Sequence, residues 1–345
     1  MAACSLVAVL VGLGWLVVVY PAEPGAHRGK TANLVIEASS SVEDVASMLH
    51  AQGLVAQPRV FAWYARVLGA APRLRRGHVL VTDAMSVREL LQRIARGFGS
   101  TELSITVPEG FNRFDIADRL ALWGVCERDA FLQATQDHAL LAQLDASAPS
   151  AEGYLFPDTY RVRDESDASV VARKMLDNGH ARLSRLLDGE AAAFARLHDE
   201  LGLDLHGLVT LASIVEKEAH AASEQAIIAG VFWNRLRDPA FKPKRLQADP
   251  TVAYGCLALP VLASCQGFDG RRVTRTMTAD PENPYNTYRL DGLPRGPVSN
   301  PGLGALRAVL HPAAHDYFYF VARGDGRHDF SATLAEHNQA VQSHR

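Results

Sequence analysis

The stretch that most restricts how this chain can fold lies at residues 208–236, where a long apolar helix pattern ends in two carboxylates. Apolar residues recur there at i, i+3, i+4 and i+7, the spacing of a helix with a buried face; these are Leu208, Leu211, Ala212 and Val215. On a helical wheel that turns by about 100° per residue from Leu208, Glu216 lies near roughly 80° and Glu218 near roughly 280°. The two carboxylates flank the apolar face on opposite sides, so spacing alone does not say which one enters a cleft.

A glutamate beside an apolar helix face can be partly desolvated. Desolvation raises the carboxyl pKa toward the range of a general acid. The alternative is that Glu216 and Glu218 are both solvated helix carboxylates, one of them paired with Lys217 or Arg235. The residues by themselves leave both interpretations open.

Residues 2–20 carry no charge and read AACSLVAVLVGLGWLVVVY. A membrane span needs about 20 predominantly apolar residues, whereas a cleaved signal peptide has an apolar core of about 7–15 and a small-residue cleavage site. This run is long and ends in bulky residues. We therefore predict an uncleaved transmembrane anchor over residues 1–20, with Trp15 and Tyr20 near the interface.

The segment after the run is rich in Pro and Gly and predicts a linker over residues 21–33. Strand patterns at 34–36 and 78–81 enclose two helix patterns, which begin at Ser41 and Pro58, and a further helix pattern begins at Ser86. This order resembles a LysM module, a fold that binds glycan chains. We predict a small LysM-like α/β subdomain over residues 34–104.

From residue 105 onward, a strand pattern precedes a helix that contains Ile116 and Leu120, and amphipathic helices follow at 168–188 and 189–202. These patterns predict an α+β fold, with a larger catalytic domain over residues 105–345. The net charge of the 345 residues is −3, which lacks the basic excess of a nucleic-acid-binding protein.

Neither a metal site nor a cofactor motif is predicted. His311 and His315 have a helical metal spacing, but Pro312 separates them and no H-E-x-x-H motif occurs, which favours a structural role. No G-x-S-x-G, G-x-G-x-x-G or P-loop motif is present. Cys256 and Cys265 stand nine residues apart and could either form a disulfide in an oxidising compartment or remain free thiols.

Several ordered motifs resemble the endolytic murein transglycosylases of the MltG/YceG-like type. They are A-S-I-V-E-K-E at 212–218, S-E at 223–224, V-F-W-N-R-L at 231–236, E-G-Y-L-F-P-D-T-Y at 152–160, R-L-Q-A-D-P-T-V-A-Y-G at 245–255, P-Y-N-T-Y-R-L-D-G-L-P-R-G-P-V-S-N-P-G at 284–302, Y-F-Y-F-V-A at 317–322, H-D-F at 328–330 and H-N at 337–338. The resemblance covers nearly the whole chain.

The resemblance implies that the first glutamate of E-K-E, Glu216, is the catalytic acid/base and that Glu218 has a supporting role. It implies a lytic reaction in which the C6 hydroxyl of the muramic acid residue closes on C1, so one carboxyl group suffices. Polar and aromatic residues of the motifs are candidates for substrate binding, with loop structure as the alternative; they are Gln247, Asp249, Tyr254, Tyr285, Asn286 and Tyr288.

The resulting prediction is a membrane-anchored endolytic peptidoglycan transglycosylase on the periplasmic face of the bacterial inner membrane. It would cut nascent glycan strands and limit their length near the cell-wall synthases, without a cofactor, a metal or a nucleic-acid partner. Two alternatives are a non-catalytic scaffold that binds peptidoglycan and a hydrolytic muramidase.

Overall fold

The computed structural model describes residues 20, 31–36, 40–69, 77–83, 85–96, 102–142, 148–163 and 166–344. Apart from Tyr20, the predicted anchor lies outside these residues, as does most of the predicted linker. No helix in the described part of the chain is both long and apolar enough to cross a membrane. The chain divides into two compact units, and the division passes through the segment 105–168.

The first unit contains β1 (Thr31–Ile36), α1 (Val42–Ala51), α2 (Pro58–Val67), β2 (Gly77–Thr82) and α3 (Val87–Arg96). Strands β1 and β2 pair antiparallel, with Leu34 opposite Val79. Helix α1 begins where predicted because Ser41 and Asp44 form a capping box, each side chain accepting the other's backbone N–H. Helix α2 begins at Pro58, as predicted, and ends at Val67.

Strands and short helices follow in the segment where the two units divide. They are β3 (Glu102–Thr106), α4 (Arg113–Leu122), α5 (Arg128–Ala134), α6 (His138–Leu141) and β4 (Thr159–Arg163). Strands β3 and β4 pair with each other in a two-stranded sheet.

The second unit contains most of the helices. They are α7 (Ala168–Gly189), α8 (Ala191–Leu201), α9 (Leu205–Glu218), α10 (Gln225–Arg237), α11 (Asp249–Ala258), α12 (Arg275–Ala279), α13 (Leu303–Leu310) and α14 (Leu334–Ser343). Strands β5 (Tyr319–Ala322) and β6 (His328–Ser331) form an antiparallel hairpin between α13 and α14. The described residues thus form a mixed α+β fold, as predicted.

Helix α9 lies at the centre of the second unit, in contact with α10, α11 and α13. Every residue from Gly207 to Val215 is buried, so the helix is enclosed on all sides and not along the single face that the pattern predicted. Enclosure of the polar Ser213 is possible because its hydroxyl donates to Thr210 O and accepts from Val298 N–H. After Val215 the helix leaves the core, and this last turn carries both glutamates.

Asn300 joins three distant segments of the second unit. Its fully buried side chain accepts from Leu155 N–H (2.9 Å) and donates to Phe111 O (2.9 Å) and Glu152 Oε1 (2.8 Å). Burial raises the pKa of Glu152 to about 7, although Arg113 opposes this shift. The Asn300 amide therefore satisfies a carboxyl group that has no access to water.

We predict that Asn300→Ala lowers the free energy of unfolding by about 2–4 kcal/mol, because three buried hydrogen bonds are lost and Glu152 loses a donor. Urea unfolding followed by circular dichroism measures the change. The matched control is Asn338→Ala, at an exposed asparagine on α14, which should change the same quantity by less than about 0.5 kcal/mol. Equal effects of the two substitutions would contradict the structural role of Asn300.

Candidate active site

A groove of about 660 Å³ opens in the second unit beside the last turn of α9. One side is formed by the C-terminal end of α9 and the first residues of α11, and the other by the β5–β6 hairpin and α14. The lining residues are Lys217, Glu218, His220, Arg235, Gln247, Asp249, Pro250, Tyr288, Tyr319, Phe320, Val321, Ala322, His328, Leu334, His337 and Asn338. The volume is within the range of about 300–1,000 Å³ that is usual for ligand sites.

The two glutamates of α9 point to different surroundings, as the helical wheel indicated. Glu218 lines the groove, and Glu216 is not among the lining residues. The carboxylate of Glu216 instead accepts from Gly302 N–H at 3.2 Å, and its pKa is raised by burial and by the negative charge of Glu109. The geometry therefore favours Glu218, and not the predicted Glu216, as the carboxyl group that meets a ligand in this groove.

Burial and a like charge together raise the pKa of Glu218 to about 7. Burial is the larger cause, the negative charge of Asp249 adds to it, and the positive charge of Arg235 opposes it. Glu218 is also the last residue of α9, where the helix dipole disfavours a negative charge. No hydrogen bond from the described residues engages its carboxyl group, which is therefore available to a ligand at the groove surface.

Asp249 is the second carboxylate of the groove. It is the first residue of α11 and therefore lies at the positive end of the helix dipole. Its Oδ1 accepts from the Tyr288 hydroxyl at 2.7 Å. Asp249 and Pro250 therefore begin a helix, and the alternative that they form only a loop turn is wrong.

Arg235 supplies a fixed positive charge at the back of the groove. Its guanidinium is buried and donates to the carbonyl oxygens of Phe318 (2.7 Å) and Leu246. Burial lowers its pKa to about 10, so it remains protonated at neutral pH. From sequence, Arg235 was expected only as a possible partner of a solvated glutamate. Its burial depends on contacts with segments distant in sequence.

The structure divides the predicted substrate-binding residues into two groups. Gln247, Asp249 and Tyr288 line the groove, and Gln247 has a left-handed backbone (φ 52°) that is uncommon for a residue other than glycine. Tyr254, Tyr285 and Asn286 are buried and do not line this groove, and their contact with substrate stays a prediction.

The buried group has structural contacts instead. The Asn286 amide donates to three carbonyl oxygens at the end of α12, those of Met277 and Thr278 within the helix and Asp280 just after it. The rings of Tyr254 and Tyr285 pack edge to face at 4.9 Å. Tyr285 and Asn286 belong to the segment that carries Tyr288, whose N–H donates to Asn286 Oδ1, and Tyr254 packs against that segment through the Tyr285 ring.

Several lining residues were not predicted. They belong to the β5–β6 hairpin and α14 and include Tyr319, Phe320, His328 and His337. The rings of Tyr319 and His337 stack at 5.4 Å, and burial together with the positive charge of Arg235 lowers the pKa of His337. The motifs at 317–322, 328–330 and 337–338 were the available signal, but nothing in their local pattern indicates that they meet α9.

Cys256 and Cys265 are joined in a disulfide, with Cα atoms 5.1 Å apart. The pair packs with Val252 and Met277 in a small cluster beneath α11. His311 and His315 do not converge, because His311 contacts Glu190 (2.7 Å) and His315 contacts Ile227 O (2.9 Å). The described residues contain no group of three or more His, Cys, Asp or Glu side chains that could hold a metal ion.

Comparisons with known proteins agree on one family. The model of the YceG-like family matches residues 34–343. The endolytic murein transglycosylase of Bacillus subtilis (strain 168) is 28% identical over 340 residues, which cover 93% of this chain and 87% of that protein. The endolytic murein transglycosylase of Streptococcus pneumoniae (strain D39) is 26% identical over 350 residues, and the match spans 92% of this chain but only 59% of that protein.

A solved structure is similar over nearly the same length. The crystal structure of a yceG-like protein from Listeria monocytogenes superposes with a TM-score of 0.59 at 27% identity, covering 90% of this chain and 99% of that one.

We predict that the Glu218 carboxyl titrates near pH 7, and that Asp249→Asn lowers this pKa because the neighbouring negative charge is removed. Carbon-13 NMR of the side-chain carboxyl, assigned with Glu218→Gln, measures both values. Asp199→Asn, at an exposed position of α8, is the matched control and should leave the titration unchanged. A Glu218 pKa close to that of a solvated glutamate would show that the groove does not desolvate it.

Proposed function

Because this chain belongs to the YceG-like family, we propose that it is an endolytic murein transglycosylase that cleaves peptidoglycan glycan strands between MurNAc and GlcNAc. The observation that carries the proposal is the groove with Glu218 at its surface, where a carboxyl group of pKa about 7 stands among side chains suited to sugars. The names of the matched relatives support the substrate class.

In the proposed reaction, protonated Glu218 donates its proton to the glycosidic oxygen that links C1 of MurNAc to GlcNAc. The C1–O bond breaks, and GlcNAc leaves with a new hydroxyl group. The C6 hydroxyl oxygen of MurNAc then bonds to C1, and its proton passes to the Glu218 carboxylate. The product carries a 1,6-anhydro ring, no water is consumed, and Glu218 is protonated again. Intramolecular attack is favoured by the high effective concentration of the tethered hydroxyl.

A carboxyl group with a pKa near the operating pH can both give and accept a proton, which is what this cycle requires. Glu218 meets that condition inside the groove, whereas Glu216 is held by Gly302 N–H outside the lining. We therefore assign the acid/base role to Glu218 and a structural role at the end of α9 to Glu216, reversing the roles that the sequence resemblance implied.

Other lining residues would bind and stabilise the sugar. The negative charge of Asp249, held by the Tyr288 hydroxyl, would stabilise the oxocarbenium-like centre that forms at C1. Gln247 and Asn338 can bond hydroxyl and acetamido groups, and the rings of Tyr319 and Phe320 offer apolar faces for pyranose rings.

We also propose that the catalytic part acts outside the cytoplasm, on the periplasmic face of the inner membrane. The uncharged run at residues 2–20 supports an anchor, and the Cys256–Cys265 disulfide is typical of an oxidising compartment. An anchor would restrict the enzyme to strands near the membrane, which fits a role in limiting nascent strands beside the synthases. The β1–α1–α2–β2 unit is the proposed LysM-like element that would bind glycan.

Substitution of each glutamate separates the two candidate acids. Wild-type protein incubated with purified sacculi should release 1,6-anhydro muropeptides, detected by mass spectrometry. Glu218→Gln should lower the rate by about 10²–10⁴-fold, the usual contribution of a general acid. Glu216→Gln is the matched control on the same helix turn and should retain the rate within about threefold, because it loses only a contact outside the groove.

The same products test the alternatives. A muramidase would give reducing ends, which are heavier than anhydro ends by one water. A non-catalytic scaffold would give neither product. If Glu216→Gln abolishes the release of anhydro muropeptides and Glu218→Gln does not, the catalytic acid is Glu216, as the resemblance implied.

The pH dependence follows from the raised pKa of Glu218. Only its protonated form can begin the reaction, so kcat/KM should fall about tenfold per pH unit above about pH 7. Asp249→Asn should move this falling limb to lower pH, since loss of the negative charge lowers the pKa of Glu218. A rate that keeps rising above pH 8 would be inconsistent with Glu218 as the proton donor.

A further inference from the structure

A buried glutamate–histidine pair, of which the histidine lines the groove, has no part in the reaction described above. Glu224 closes the short 3₁₀ helix Ala222–Glu224 that follows α9, and His328 begins β6. The Glu224 carboxylate accepts two hydrogen bonds from His328, one from the backbone N–H at 3.2 Å and one from ring Nδ1 at 2.8 Å. Glu224 is 8% exposed and His328 9% exposed.

The contact with Glu224 determines whether the other ring nitrogen of His328, Nε2, donates or accepts a hydrogen bond. Because the Glu224 oxygen accepts from Nδ1, the hydrogen of a neutral imidazole ring stays on Nδ1, and Nε2 then carries the lone pair. No residue in the described part of the chain hydrogen-bonds to Nε2, although His328 lines the groove. Nε2 is therefore a hydrogen-bond acceptor available to a ligand.

The ring is also held in place by its neighbours. Phe320 packs against it at 5.4 Å and 90°, and His220, two residues after Glu218, lies 6.2 Å away. A buried charged group contributes little net stability compared with apolar residues of similar volume, so the cost of burying Glu224 is better explained by a requirement for an oriented imidazole. The H-D-F motif at 328–330 and Glu224 of the S-E pair thereby meet in one site.

We propose that His328 binds the glycan in the groove, with Nε2 accepting a hydrogen bond from a sugar hydroxyl or an acetamido N–H, and that Glu224 is the residue that positions it. This inference rests on the proposed transglycosylase function. It adds a recognition contact from the β5–β6 hairpin to the groove that the acid on α9 also lines.

Steady-state kinetics on soluble, peptide-free glycan strands of GlcNAc–MurNAc repeats test the contact with the full-length protein. His328→Phe keeps the ring volume and removes both nitrogens, and we expect KM to rise about tenfold while kcat changes less than threefold. His328→Gln should recover part of the loss, because its amide oxygen can accept in place of Nε2. The matched control is His311→Phe, which breaks a surface His–Glu pair of similar length outside the groove and should change neither parameter.

Glu224→Gln tests the positioning role. The amide would offer N–H to Nδ1 and so favour the tautomer in which Nε2 carries the hydrogen, which converts the acceptor into a donor. We expect the same rise in KM as for His328→Phe. Nitrogen-15 NMR of the His328 ring should show protonated Nδ1 in the wild type and a reversed tautomer in Glu224→Gln, a change that a purely structural role does not require.

Binding to the non-cleaving Glu218→Gln protein gives an outcome that does not depend on turnover or on the folding of the His328 variants. Saturation with the same strands should shift the Nε2 resonance of His328. An unmoved Nε2 resonance, or an unchanged KM in folded His328→Phe, would overturn the inference. Absence of anhydro products from the wild type would instead overturn the transglycosylase assignment, while the binding measurement would still decide whether His328 contacts glycan.

Discussion

Complete enclosure of α9 is the constraint on which the second unit depends. Each large apolar side chain between Leu208 and Val215 contributes about 1.5–3 kcal/mol by leaving water, and neighbouring segments bury every residue of that stretch. A helix enclosed in this way cannot rotate or slide without exposing apolar surface to water or breaking the hydrogen bonds of the Ser213 hydroxyl. The last turn is therefore held in one orientation, and the directions in which Glu216 and Glu218 leave the core follow from it.

Helix ends then set the electrostatics of the groove. Glu218 lies at the negative end of α9 and Asp249 at the positive end of α11, so the dipoles disfavour charge on the first carboxyl group and favour it on the second. Arg235, held by two backbone carbonyl oxygens, limits how far the pKa of Glu218 rises. The groove therefore holds a glutamate of raised pKa beside a second carboxyl group, the arrangement needed for one proton donor and one stabilising charge.

Much of the fold could be predicted because its signals are local. The capping box at Ser41 and the periodicity of α9 depend on residues within a few positions of each other, and both helices begin within a few residues of the predicted positions. Burial of Tyr254, Tyr285 and Asn286 could not be predicted, since motif residues with sugar-binding chemistry look the same in sequence whether they face a groove or hold its loop from behind. That β5, β6 and α14 line the groove was missed for a similar reason, because the hairpin and α9 come together only through packing between segments distant in sequence.

The sequence by itself determined that two carboxylates stand at the end of a buried helix, on opposite sides of it, because helical periodicity follows directly from residue spacing. Only the tertiary structure decided which of them faces the groove. Residues far along the chain, from Asp249 to Asn338, form the groove that Glu218 also lines. The backbone N–H of Gly302 instead donates a hydrogen bond to the carboxylate of Glu216. The pairing of Glu224 with His328 arises in the same way, since a hydrogen bond between distant segments leaves no periodic trace in the chain.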